Sequence, residues 1–94
     1  MELGFEWDEE KATTNKEKHG ISFEEATTIF LDPLSLTISD PDHSAGEQRY
    51  IEIGISDNSR ILLASYTERI GRIRLISCRK ATRRERRQYE EAIQ

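Results

Sequence analysis

The segment RIRLISCRKATRRERR, Arg72 to Arg87, holds eight basic side chains and one acid. Guanidinium groups are planar, permanently charged and fork onto phosphate oxygens, so several converging on one site suit a phosphodiester backbone. Helix stability does not account for the segment. Arg83 and Arg84 fall in the first turn of a helix predicted to follow Thr82, where the positive end of the dipole disfavours each cation by about 0.3–1 kcal/mol. Glu90 and Glu91 stand near its negative end, again the wrong sign. Pairs four apart, Arg86 with Glu90 and Arg87 with Glu91, recover only about 0.2–0.5 kcal/mol each, in the less favourable orientation. Arg86 and Arg87 fit a plain solvated helix face equally well. Nucleic acid is the partner to which this chemistry points.

Other residues offer less. Strand alternation predicts Arg72 and Arg74 on one face with Ile76 and Cys78, and Arg79 on the other with Ile73 and Leu75. His19 precedes Gly20 at a helix C-terminus, where a dipole-favoured cap and proton chemistry fit equally well. Asp40, Asp42 and His43 offer a cation three ligands with no fourth, so a solvated loop is the better reading and no metal site is expected. Tyr66 and Tyr89 suit packing with a wet hydroxyl better than acid catalysis. Cys78 stands alone, which excludes an internal disulfide and a cysteine-based zinc site, and suits a small buried thiol.

The elements that position these groups follow from caps and periodicity. FEW reads as a short strand or apolar anchor, and Asp8 caps a helix over DEEKATTNKEKH that Gly20 stops. Ser22 with Glu25 forms a capping box for a second helix, with Phe23, Ala26, Thr27 and Phe30 at helical spacing until Asp32-Pro33. The period then becomes two. Strands are predicted around Leu34–Ser39, Tyr50–Ile55, ILLASYT and RIRLISCR, with turns at Asp57-Asn58-Ser59 and Glu68-Arg69-Ile70-Gly71. Thr82 with Glu85 forms a second capping box and starts the final helix. The expected fold is α+β: two N-terminal helices, a four-stranded antiparallel meander and a C-terminal helix.

Size and charge bound the rest. The 94 residues make one small domain, 1–94, and 35% hydrophobic with 34% charged residues suits a folded globular chain. No apolar run approaches the roughly 20 residues of a membrane span, and MELGFEWDEE has no signal-peptide pattern, so the expected place is the cytoplasm. Residues 1–68 carry 5 Lys and Arg against 15 Asp and Glu, a balance of −10, whereas residues 69–94 carry 9 against 3, a balance of +6. This polarity suits a polyanion at the basic end, or two halves that neutralise each other across the fold.

The runs FEWD, Asn15, KHGISFEEA, the Asp-Pro after the second helix, TER at Thr67–Arg69 and RIRLISCRKATRRERRQYEE resemble the BrnT-type toxins of bacterial type II toxin–antitoxin systems. The resemblance spans nearly the whole chain and lies in the ordered set. Cys78 departs from it, where a small residue such as Ala is usual, and so does Leu75, where Ile is common.

The resemblance implies a RelE-like fold and a metal-independent endoribonuclease without cofactor that inhibits growth. It also implies a cognate antitoxin as partner, with operator DNA bound only through that antitoxin. Such toxins activate a ribose 2′-hydroxyl against the adjacent phosphate, which needs a base, cations for the phosphorane and an acid for the leaving 5′-oxygen. Arg69, Arg79 and Lys80 are expected around the scissile phosphate, and His19 or Glu68 in proton transfer; the KHG match favours chemistry at His19, and only the resemblance raises Glu68 and Arg69. Arg72, Arg74, Arg83 and Arg84 are expected to steer RNA. The alternative is a non-catalytic RNA-binding or protein-interaction module. A duplex-DNA reader is disfavoured, because no helix-turn-helix or zinc pattern is present.

Overall fold

A computed structural model describes residues 4–40 and 46–92. Helix α1 spans Glu9–His19; Asp8 Oδ1 accepts the Glu10 and Lys11 N–H groups at 2.8 and 3.2 Å, and Gly20 stops the helix at φ 72°. Helix α2, Phe23–Thr28, tightens into a 3₁₀ turn over Ile29–Leu31 before Asp32. Only half of its expected capping box forms. Ser22 Oγ accepts the Glu25 N–H at 3.0 Å, but the Glu25 carboxylate turns away to Ser56 and Arg60. The box at helix α3, Arg83–Ala92, is complete: Thr82 N–H reaches Glu85 Oε1 at 2.8 Å and Glu85 N–H reaches Thr82 Oγ1 at 3.2 Å.

The strands are β1 (Gly4–Glu6), β2 (Leu36–Asp40), β3 (Arg49–Ile55), β4 (Ile61–Arg69) and β5 (Arg72–Lys80). Strands β2 to β5 pair antiparallel in succession, as the meander requires. The sheet itself differs from the expected one: it has five strands in the order β1-β5-β4-β3-β2 and is mixed. Strand β1 pairs parallel with β5 through Gly4↔Arg72, Phe5↔Ile73 and Glu6↔Arg74. Phe5 pays for that short strand by packing edge-on against Phe30, and Gly4 leaves room for the Arg72 guanidinium, whose Nη1 would lie 3.0 Å from a Cβ there.

The β4–β5 register shifts between Ser65 and Tyr66: Ser65 faces Ser77, and Tyr66 faces Leu75. Ile76 is therefore an extra residue on β5, a β-bulge. One extra residue moves everything after it to the opposite face. Cys78 joins Ile73 and Leu75 on the α1–α2 face, and Arg79 joins Arg72 and Arg74 on the other. The strict alternation expected for β5 is thus overturned.

Two apolar layers result. Ile21, Phe23, Ala26, Ile29, Leu62, Ala64, Tyr66, Leu75 and Cys78 fill the space under α1 and α2. Under α3 the smaller cluster is Ile53, Leu63 and Tyr89. Each fully buried large apolar side chain contributes about 1.5–3 kcal/mol. Beyond Arg74, β1 no longer covers β5, and buried Asn15 of α1 takes over. Its Oδ1 accepts the Cys78 N–H at 3.0 Å and its Nδ2 donates to the Cys78 and Ile21 carbonyls at 2.8 and 3.0 Å. An amide side chain thereby replaces a neighbouring strand, as buried backbone polar groups require.

Candidate nucleic-acid interface

The basic residues divide into partnered and unpartnered sets. Glu6 holds both Arg72, Nε at 3.4 Å, and Arg74, Nη1 at 2.9 Å. Arg69 Nε pairs with Glu47 at 2.9 Å. Arg79 donates end-on to Glu85, from Nη1 and Nη2 at 2.7 and 3.0 Å. This pairing holds the Glu85 carboxyl down at about 2, helped by the Thr82 N–H. The side chains of Lys80, Arg83, Arg84, Arg86 and Arg87 form no hydrogen bond or ion pair among the described residues. The expected Arg86–Glu90 and Arg87–Glu91 pairs are therefore not made, and the unpartnered cations gather where β5 ends and α3 begins.

The residues expected around one phosphate do not form one cluster. Arg69 pairs with Arg72 at one end of the β4–β5 hairpin, whereas Arg79 and Lys80 face Leu63 and Leu62 at the other. Seven residues of extended chain separate the ends by roughly 20 Å. Glu68 and Arg69 lie beside the Ile70-Gly71 turn, exposed and remote from Arg79.

Two open grooves flank the end of β5. Half-buried His19 lines one of about 400 Å³ with Lys11, Lys18, Ile76 and Ser77. It lies along the β5 edge that β1 leaves uncovered, two to three residues before Arg79. The other, of about 310 Å³, is lined by Ser59, Arg60, Ile61, Lys80, Ala81 and Arg86. Arg60 escapes sequence reasoning because its acid partner, Glu25, lies 35 residues away. Counting the hairpin register back from the Ile70-Gly71 turn misses its place by one residue, because the extra residue on β5 shifts the pairing of everything before Tyr66.

The remaining titratable candidates are engaged. The Tyr66 hydroxyl donates to Glu52 at 3.1 Å, and burial raises its pKa beyond the ordinary tyrosine range. Tyr89 donates to Asp32 at 2.5 Å and is pushed up to about 12, by burial and then by that carboxylate. Cys78 is fully buried, and burial raises its thiol to about 12. His43 and Asp42 lie outside the described residues, among which no three His, Cys, Asp or Glu gather to hold a metal ion. Among the described residues no helix is long and apolar enough to cross a membrane.

A family model described as the ribonuclease toxin, BrnT, of type II toxin–antitoxin systems matches residues 7–85. The chain belongs to the BrnT family. The BrnT match takes in α1, the whole sheet from β2 onward and the Thr82–Glu85 box. Among solved structures, the 1.1 Å crystal structure of the Brucella abortus ribonuclease toxin BrnT superposes with a TM-score of 0.66 at 25% identity. The superposition covers 87% of this chain and 100% of that one. No curated protein matches.

Proposed function

We propose that this toxin is a metal-independent endoribonuclease that cuts RNA at the C-terminal end of β5, arrests translation and growth, and is silenced by a cognate antitoxin that also binds operator DNA. One observation carries the reading. Lys80 and Arg86, without partners among the described residues, line one groove at the end of β5 beside the arginine-rich start of α3, and His19 lines another along the strand's uncovered edge.

The chemistry assigned to that end is transesterification. A ribose 2′-oxygen attacks the adjacent phosphorus, its proton passing to the His19 imidazole. The bond to the 5′-oxygen breaks and that oxygen takes up a proton from solvent water, to which His19 returns the proton it gained, leaving a 2′,3′-cyclic phosphate and a 5′-hydroxyl. Arg79 meets the charge that grows on the phosphorane, where fixed donors act most strongly, while Lys80, next along the strand, faces the groove shared with Arg60 and Arg86. Arg72 and Arg74, on the same face as Arg79, steer the backbone with Arg83 and Arg84. Glu68 and Arg69, at the far end of the hairpin, have no part in this step.

A second reading is an RNA-binding module without catalysis. It is favoured by the end-on capture of Arg79 by Glu85 and by the engaged tyrosines, which leave few groups for proton transfer. Incubation of the purified protein with RNA in EDTA separates the two. Cyclic phosphate ends, and resistance of RNA with a 2′-deoxy nucleotide at the cleaved position, support the enzyme. Retention of intact RNA supports the binder.

A further inference from the structure

We propose that the groove between the β3–β4 turn and the start of α3 is a phosphate subsite for single-stranded RNA, formed by Arg60, Lys80 and Arg86. The inference rests on the ribonuclease reading and deepens it: the subsite holds a phosphate next to the scissile one.

Three elements deliver the three cations. Antiparallel pairing sets the start of β4 against the end of β5, with Leu62 opposite Lys80 and the Ala81 N–H on the Ile61 carbonyl at 3.0 Å. The Thr82–Glu85 box starts α3 at once, and the Arg86 N–H reaches the Thr82 carbonyl at 2.9 Å. Arg86 therefore enters the same groove as Arg60 and Lys80.

The groove differs from a solvated basic face in two respects. Arg60 is fixed: it binds buried Glu25 side-on through Nε, at 3.0 Å, and Nη2, which leaves Nη1 unengaged. Glu25 is itself held by Ser56 Oγ at 2.7 Å. A guanidinium so anchored gives up little freedom when it meets an anion. Second, no acid among the described residues lines the groove, so Lys80 and Arg86 face it without counter-charge from them. An anion relieves that like-charge field.

The lining also states what the ligand is. Among the described residues no aromatic side chain lines the groove for a base to stack on, so it suits backbone phosphate and gives no sequence readout. Its position beyond Lys80, with the His19 groove at Ile76 and Ser77 before Arg79, sets the RNA path across the C-terminal end of β5.

The test uses a fluorescent single-stranded RNA made uncleavable by 2′-O-methylation, with binding measured across a salt series, and cleavage of ordinary RNA measured in parallel. Lys80→Gln/Arg86→Gln removes side chains without partners and should leave the melting temperature unchanged. It should weaken binding about tenfold and lower the log–log salt slope by about 0.7, the loss of one phosphate contact. Arg60→Lys, which keeps a cation beside Glu25, should weaken binding in the same direction. Lys16→Gln, exposed on α1 away from the groove, serves as the control and should change neither quantity. Unchanged affinity and slope in the folded double variant, with a wild type that cleaves RNA, overturns the subsite alone. A wild type that neither binds nor cleaves RNA overturns the ribonuclease reading and the subsite with it.

Discussion

Glu85 joins two structures that the sequence shows separately: its Oε1 takes both the Arg79 Nη1, at 2.7 Å, and the Thr82 N–H, at 2.8 Å. The cap of α3 and the clamp on the last arginine of β5 are one carboxylate. Its end-on grip leaves the Arg79 Nε–H without a partner among the described residues, so the guanidinium is oriented without being fully consumed.

Arg79→Ala should cut RNA cleavage by about 10²–10³, the usual loss when one preorganised charge donor is removed. The protein should stay folded, with a stability cost of about 1 kcal/mol, because the pair is partly open to solvent and Glu85 keeps its Thr82 bonds. Cleavage rate and thermal melting check both numbers. A folded variant with full cleavage and full growth inhibition removes Arg79 from the chemistry.

The β4–β5 turn carries a strain that a single substitution should release. Ile70 has φ 49° and Gly71 φ 75°, and Ile70 is fully exposed at 103%. Two positive φ values make a type I′ turn, which favours Asn-Gly and penalises a β-branched residue. Ile70→Asn loses no packing and should raise stability by about 1 kcal/mol, or about 4–8 °C in Tm for a domain of this size. An unchanged or lower Tm would show that the turn is not strained.

The helices were legible because their signals are local: Asp8, Ser22 and Thr82 cap, and Gly20 and Asp32-Pro33 stop. The meander was legible from period two and short turns. What escaped was set by contacts distant in sequence. FEW reads equally as a short strand or an apolar anchor, and only its parallel pairing with β5 decides between them. The bulge at Ile76 leaves no trace in a run of apolar and basic residues, yet it decides that Arg79 shares a face with Arg72 and Arg74. Asn15 looks like an ordinary polar helix residue until its amide meets Cys78, 63 positions later. The expected phosphate site joined Arg69 to Arg79 on the resemblance alone, whereas the hairpin sends them to opposite ends.

Acid sensitivity should be traceable to Glu25. Its carboxyl is lowered from 4.5 to about 2, first by the hydrogen bond from Arg60, with Ser56 and Asn58 adding and burial opposing. A depressed folded pKa means stability that is present above 4.5 and lost as pH falls toward 2. Glu25→Gln removes that titration. Across this window its unfolding free energy should fall with decreasing pH less steeply than wild type, by at most about 1.4 kcal/mol per pH unit. Denaturant unfolding at several pH values measures the slope; identical slopes would place the acid sensitivity elsewhere, with Glu85 the next group to test.

Arg83 and Arg84 occupy the first turn of α3, exposed and without acid partners among the described residues. Changing both to Gln should stabilise the fold by about 0.3–1 kcal/mol for each cation removed from the positive end of the dipole. The same variant should bind RNA more weakly and with a shallower salt dependence. Stabilisation with unchanged RNA affinity would show that they only decorate the helix.

An antitoxin has to meet a molecule whose charge is divided by region. Exposed Glu9, Glu10 and Glu17 share a groove on α1, and Glu24 is exposed on α2, so basic parts of a DNA-binding partner have an acidic surface to approach. Glu25 is not part of that surface, since it is buried against Arg60. Acidic side chains of the same partner would find the unpartnered cations from Lys80 to Arg87, where desolvated pairing blocks RNA. The expected complex is tight, loses RNA cleavage and gains binding to its own promoter DNA that the toxin alone lacks. Mixing purified toxin with the product of the neighbouring open reading frame, then measuring cleavage and promoter binding on the same sample, tests this directly. Undiminished cleavage at saturating partner would refute inhibition by occlusion of the β5 end, whatever the DNA result.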